Sequence, residues 1–190
     1  MNGATVQPSY KEAGPVRYHP MHDCLSLILR LLTLGATIAA IVAMLKSTQT
    51  VPTLLGPHTA RWKDFPAFEW FVIGNSIVLV YAALGTLAAC LSLFTRRGPL
   101  SYTKTAWLTF LCDFICSCAL ISAGSTALGV AWIGKHGQHS AFWNAVCPTV
   151  DRFCDYVQGA LIATLCGFIF QALSTVIAAS ALHNLATHRH

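Results

Sequence analysis

The sequence predicts an all-α membrane protein, a four-transmembrane-helix bundle with cytosolic N and C termini. Three observations carry that class. Over 190 residues the composition is 55% hydrophobic and only 10% charged, whereas roughly a quarter of residues are charged in soluble domains; the mean hydropathy is +0.57. Four apolar runs, Leu25 to Leu45, Trp70 to Phe94, Ala106 to Ile133 and Val157 to Leu182, each reach the length of about 20 residues that a helix needs to cross hydrocarbon roughly 30 Å thick. None of the eight prolines falls inside a run, so the spans read as continuous helices rather than the broken ones of many transporters.

Orientation follows the excess of Lys and Arg in short cytoplasmic segments. The link Thr95 to Thr105 carries Arg96, Arg97 and Lys104 and no acid, which assigns it to the cytosol. An even number of spans then puts both termini there, in agreement with Lys11, Arg17 and Arg189. The outward connections mix Lys46, Arg61, Lys63, Lys135 and Arg152 with Asp64, Glu69, Asp151 and Asp155, so the bias is moderate. The formal net charge of +5 is scattered over these connections and is not a nucleic-acid signature. The basic link suits anionic membrane lipid.

Residues 1–24 are polar and aperiodic and read as a disordered cytoplasmic tail. They lack the short basic start and early apolar core of a signal peptide, so no cleavage after the first span is expected. Within the first span, Arg30 lies about 8 Å from the cytoplasmic end at roughly 1.5 Å per residue. Asp113 in the third span lies at about 11 Å by the same rise. A short carboxylate inside a bilayer is costly unless paired, and similar depth is the condition for pairing. Arg30 and Asp113 are therefore a candidate intramembrane charge pair; the alternative is an Arg30 that snorkels alone to the phosphates.

Small residues recur at intervals of four: Gly35, Ala39 and Ala43; Ala119, Ala123, Ala127 and Ala131; Gly159, Ala163 and Gly167. Such stripes permit close helix packing within and between protomers, although alanine is common in any spanning helix. Asn75 and Gln171 are candidate interhelical hydrogen-bonding groups of structural kind. In the first outward connection Trp62, Phe65, Phe68 and Trp70 cluster where the chain re-enters the membrane, as in an aromatic belt. The second, Gly134 to Tyr156, holds Cys147 and Cys154, which alone among eight cysteines lie in an outward loop, where an oxidising compartment permits a disulfide. Cys24, Cys90, Cys112, Cys116, Cys118 and Cys166 are inside or in spans, where thiols behave as small apolar groups; Cys24, at a boundary, is a candidate for acylation. Residues 25–182 form the transmembrane domain and 183–190 a short cytoplasmic tail.

Four landmarks in order resemble one family: Arg30 in LRLLTLGATIAAIVAM, the segment DFPAFEWFVIGNSIVLVYAAL with Tyr81, Asp113, and WNAVCPTVDRFCDYVQGA. Together, over Cys24 to Leu182, they resemble the plant CASP-like proteins, four-span relatives of the Casparian strip membrane domain proteins and distant kin of the MARVEL group. The resemblance makes Arg30 and Asp113 the family's hallmark intramembrane charges and Cys147 and Cys154 its loop cysteines. It implies a non-enzymatic plasma-membrane scaffold that forms homo-oligomers and hetero-oligomers with related four-span proteins, organises a membrane domain and recruits wall-modifying enzymes. The loop Lys46 to Trp70 lacks the compact acidic and aromatic signature of the founding members, so the resemblance implies the general scaffold role and leaves a lignin-related one open.

Two other classes compete. A small transporter or channel would use Asp113 as a proton or cation site, since intramembrane carboxylates mark ion pathways. Each polar position, however, is nearly solitary in its span, with no ring of acids. A haem-carrying enzyme would need histidines inside the spans, whereas His19, His22, His58, His136, His139, His188 and His190 fall in tails or loops and His183 at a helix end. The pairs His136 with His139 and His188 with His190 would hold a metal only adventitiously. No glycine-rich phosphate cradle or nucleophile-base set is present. No cofactor, no resident metal and no nucleic-acid partner is expected.

Overall fold

The structure is a computed structural model that describes residues 20–53, 56–95 and 103–187. Its helices are α1 (Pro20–Lys46), α2 (Pro66–Thr95), α3 (Thr103–His136) and α4 (Asp151–Thr187). Each packs against its neighbours in sequence, and α1 closes on α4. All four are long and apolar enough to cross a membrane. Large apolar side chains such as Val80, Leu84, Leu108 and Val176 cover the outside of the bundle, as they do where lipid is the solvent. The protein is therefore a multi-pass membrane protein.

The helices outrun the predicted spans at polar ends. Pro66 opens α2 four residues before Trp70, at the first helical position, where a missing N–H costs nothing. Helix α4 begins at Asp151 rather than Val157. There the Arg152 amide donates to Asp151 Oδ1 at 2.7 Å, a carboxylate at the positive end of the helix dipole. The Phe153 amide donates to Gln49 Oε1 at 2.9 Å, a cap supplied from 104 residues upstream. Helix α1 already includes residues 20–24, and α4 continues through 183–187, so helix extends into both segments expected as tails. His22, His136 and His183 accordingly belong to helices. Residues 1–19, 188–190 and the link arginines Arg96 and Arg97 lie outside the described residues.

The first connection is not plain loop. Strands β1 (Thr48–Thr53) and β2 (Gly56–Arg61) pair antiparallel, with Thr48 opposite Arg61 and Pro52 opposite Pro57. The Thr50 and Thr59 hydroxyls meet at 2.9 Å. Gln49 Nε2 also donates to Asp151 Oδ1 at 3.3 Å, fastening the hairpin to α4. The predicted aromatic belt divides: Trp70 is exposed, but Phe68 is buried, its ring 6.2 Å from that of Phe153, and Trp62 packs partly against the same cluster. The reason is the early start of α2, which turns Phe68 inward within its first turn.

The core changes character along its length. At the hairpin end it is apolar, built from Ala40, Met44, Phe68, Phe71, Ala127, Phe153 and Val157. Val78, Cys116 and Leu120 continue it. Backbones approach closely where side chains are small: a Cβ on Gly74 would lie 2.8 Å from Ala123 Cβ, and one on Gly167 3.4 Å from Ala36 Cβ. Toward the opposite end the core becomes polar.

Candidate functional site

Every helix contributes one side chain to that polar region: Arg30 from α1, Tyr81 from α2, Asp113 from α3 and Gln171 from α4. Arg30 and Asp113 each lie ten residues beyond the first residue of their helix, which equalises their depth at about 15 Å along the axes. Arg30 Nη2 donates to Oδ1 and Oδ2 of Asp113, each at 3.2 Å. The Tyr81 hydroxyl donates to Oδ1 at 2.7 Å and Gln171 Nε2 to the same oxygen at 2.9 Å. Asp113 is 1% exposed, Gln171 1% and Arg30 6%. A buried carboxylate so supplied with donors has its desolvation offset by charge-assisted hydrogen bonds.

Local geometry explains how four helices reach one point. Arg30 Cζ lies 5.3 Å from the Tyr81 ring centroid, within cation–π range, so the ring supports the cation while its hydroxyl holds the anion. Gly85, one turn along α2 from Tyr81, faces the same way. A Cβ there would collide with Arg30 Nη1 and lie 3.0 Å from Cζ; the absent side chain is the space the guanidinium occupies. Ser117, one turn from Asp113, donates to the Asp113 carbonyl at 3.0 Å and meets the Thr175 hydroxyl at 3.3 Å. A second polar tie lies toward the hairpin end, where Thr164 donates to Asn75 Oδ1 at 3.1 Å and Asn75 donates to the Phe71 carbonyl. Asn75 and Gln171 thus both bridge helices.

The small-residue stripes have divided fates. Ala119, Ala123, Ala127 and Ala131 face the bundle, and Gly167 packs on Ala36. Ala43 and Ala163 pack partly against the apolar core. Gly35, Ala39 and Gly159 instead face outward, and a Cβ on Gly35 or Gly159 would meet nothing within 4 Å. A four-residue repeat drifts by roughly 40° per step on a helix of 3.6 residues per turn, so one stripe passes from outside to inside along α1 and along α4.

Cys147 and Cys154 form a disulfide. Because α4 starts early, Cys154 sits in its first turn, and the bridge ties the preceding loop to that helix. Gly134 O accepts the Val146 and Cys147 amides at 2.8 and 3.0 Å, fixing the loop to the end of α3 as well. The other six cysteines are free, Cys24 among the exposed ones. Among the described residues no group of three His, Cys, Asp or Glu side chains is placed to hold a metal. Sequence reasoning missed the Tyr81 hydroxyl as a donor, Gly85 as the recess and Gln49 as the cap. For Tyr81 and Gly85 the available signal was their four-residue spacing in a span; Gln49 offered none.

Comparison with known proteins places this architecture. The Casparian strip membrane protein domain matches residues 20–170. CASP-like protein 1U1 of Physcomitrium patens is 55% identical over 168 residues, 87% of this chain and 85% of the relative. CASP-like protein 1U2 of the same moss is 50% identical over 172 residues, 89% and 86% of the two chains. CASP-like protein 1C1 of Arabidopsis thaliana is 35% identical over 157 residues, 83% and 87%. No solved structure matches the chain. With the domain spanning most of its length and relatives aligned nearly end to end, the chain belongs to the CASP-like membrane proteins of the Casparian strip membrane protein domain family.

Proposed function

We propose that the protein is a non-enzymatic, oligomerising scaffold of the plasma membrane that organises a membrane domain and recruits cell-wall-modifying machinery. The observation that carries this reading is the use made of the intramembrane charges. Asp113 accepts from Arg30, Tyr81 and Gln171 on three other helices, so the costliest groups in the membrane are spent on fixing helix positions. A conducting carboxylate needs free coordination sites, whereas both Asp113 oxygens accept from other helices, and the polar groups nearer the hairpin, Asn75 and Thr164, bond to each other and to the Phe71 carbonyl. A bundle so fixed, with outward small residues at Gly35 and Ala39, offers neighbours a close approach of the kind membrane helices use to associate. Homo-oligomers and hetero-oligomers with related four-span proteins follow from that face.

Photobleaching of a tagged copy in plant cells, paired with native-size analysis of the solubilised protein, tests the proposal. A scaffold gives an immobile, patterned and oligomeric plasma-membrane pool. A uniformly distributed, freely diffusing monomer refutes it.

A further inference from the structure

At the hairpin end, an open groove of about 340 Å³ runs along the surface of α4 beside α1, lined by Ala43, Arg152, Asp155, Tyr156 and Gly159. We propose that this groove binds a glycerophospholipid with an ethanolamine head group, taken from the leaflet at that end of the bundle. The inference is separate from the scaffold reading and stands on the groove's own chemistry.

Depth comes first. Arg152 and Asp155 lie in the opening turns of α4, whereas Gly159 is eight residues past its start, about 12 Å along the axis. Ala43 is three residues from the end of α1. The rim is therefore charged at head-group height, and the floor is apolar and lacks side-chain bulk where the first methylenes lie. A Cβ on Gly159 would meet nothing within 4 Å, which leaves room for an acyl chain to rest against the helix backbone.

Charge gives the head group. Opposite charges three residues apart on a helix ordinarily pair. Here the Arg152 guanidinium lies 6.0 Å from the Tyr156 ring centroid, and among the described residues the salt bridge formed is that of Arg30 with Asp113. Arg152 and Asp155 are thus separate charges on one rim. A phosphate diester fits a guanidinium through paired N–H donors, and a primary ammonium donates hydrogen bonds to a carboxylate. The ethanolamine head group carries both charges next to each other. A choline head group has no N–H for Asp155, and a purely anionic one would set negative charge against it.

The test uses full-length protein in nanodiscs of equal phosphatidylethanolamine and phosphatidylcholine, with retained lipid identified by native mass spectrometry. The wild type should retain phosphatidylethanolamine in preference. Asp155→Asn should lower that preference about tenfold, the value of one charge-assisted hydrogen bond. Gly159→Leu, which fills the floor, should abolish retention while the pattern of alkylated thiols stays that of the wild type. Equal retention of both lipids by the wild type overturns the proposal, as does Gly159→Leu retaining lipid undiminished. Dissociation of a dimer by Gly159→Leu with lipid retention unchanged would assign the groove to a second copy and also overturn it.

Discussion

Replacing Arg30 with leucine removes both 3.2 Å contacts to Asp113 and the cation over Tyr81, leaving a buried anion with two neutral donors. Loss of one partner from a buried ion pair costs about 3–5 kcal/mol. The 3.2 Å contacts are longer than the charge-assisted optimum, and Tyr81 and Gln171 still solvate the carboxylate, so the expected loss is about 3 kcal/mol, at the low end of that range. Asp113→Asn strands the guanidinium among four helices and should cost a similar amount. The double variant Arg30→Leu with Asp113→Asn carries no buried charge and keeps an oxygen that accepts from Tyr81 and Gln171, so it should lose clearly less than the sum of the two singles. Thermal unfolding of purified full-length protein in one detergent, read by size-exclusion chromatography, measures the cycle. A loss of about 3 kcal/mol corresponds to a shift of roughly 6–12 °C for a chain of this size. If either single variant unfolds with the wild type, or the double variant loses the sum of the singles, the charges are not coupled and the argument fails.

Four further outcomes follow from named contacts. Tyr81→Phe keeps the ring under Arg30 but removes the 2.7 Å donor, and should cost about 1.5–3 kcal/mol in the same unfolding assay. Gly85→Ala places a methyl group on the guanidinium and should cost about 1–3 kcal/mol, an effect that disappears in an Arg30→Leu background; Gly35→Ala, with open space around it, should not destabilise. Gln49→Leu removes the cap on α4 and should cost about 1 kcal/mol, with faster hydrogen exchange at the Phe153 amide as the readout. Alkylation of denatured protein should label six cysteines before reduction and eight after, because Cys147 and Cys154 are bridged.

The membrane class was legible because length and apolarity are properties of each span alone. Arg30 and Asp113 stood out for the same reason: an ion in a run of apolar residues needs no partner to be noticed. Their common depth followed from counting residues. What stayed hidden depended on two segments at once. DRFCDY reads as loop until Gln49 supplies a cap to it. The segments TQTVPT and GPHTAR, each carrying a proline and little apolar alternation, show strand character only when paired. A single glycine in an apolar helix is unremarkable, so Gly85 became informative only once Arg30 was seen to fill its place. The stripes through Gly35 and Gly159 turn outward over part of their length because a constant spacing of four does not keep a constant face over several turns.

The polar meeting point of the four helices is also arranged in time. A chain made from its N terminus delivers the guanidinium with its first helix and the phenol with its second, so both precede the carboxylate of the third. The anion therefore enters a membrane in which its neutralising company is already waiting, and the Gln171 amide arrives last to close the site. Permuting the chain so that the third helix came first would keep every contact of the finished bundle and still present lipid with a bare charge at birth.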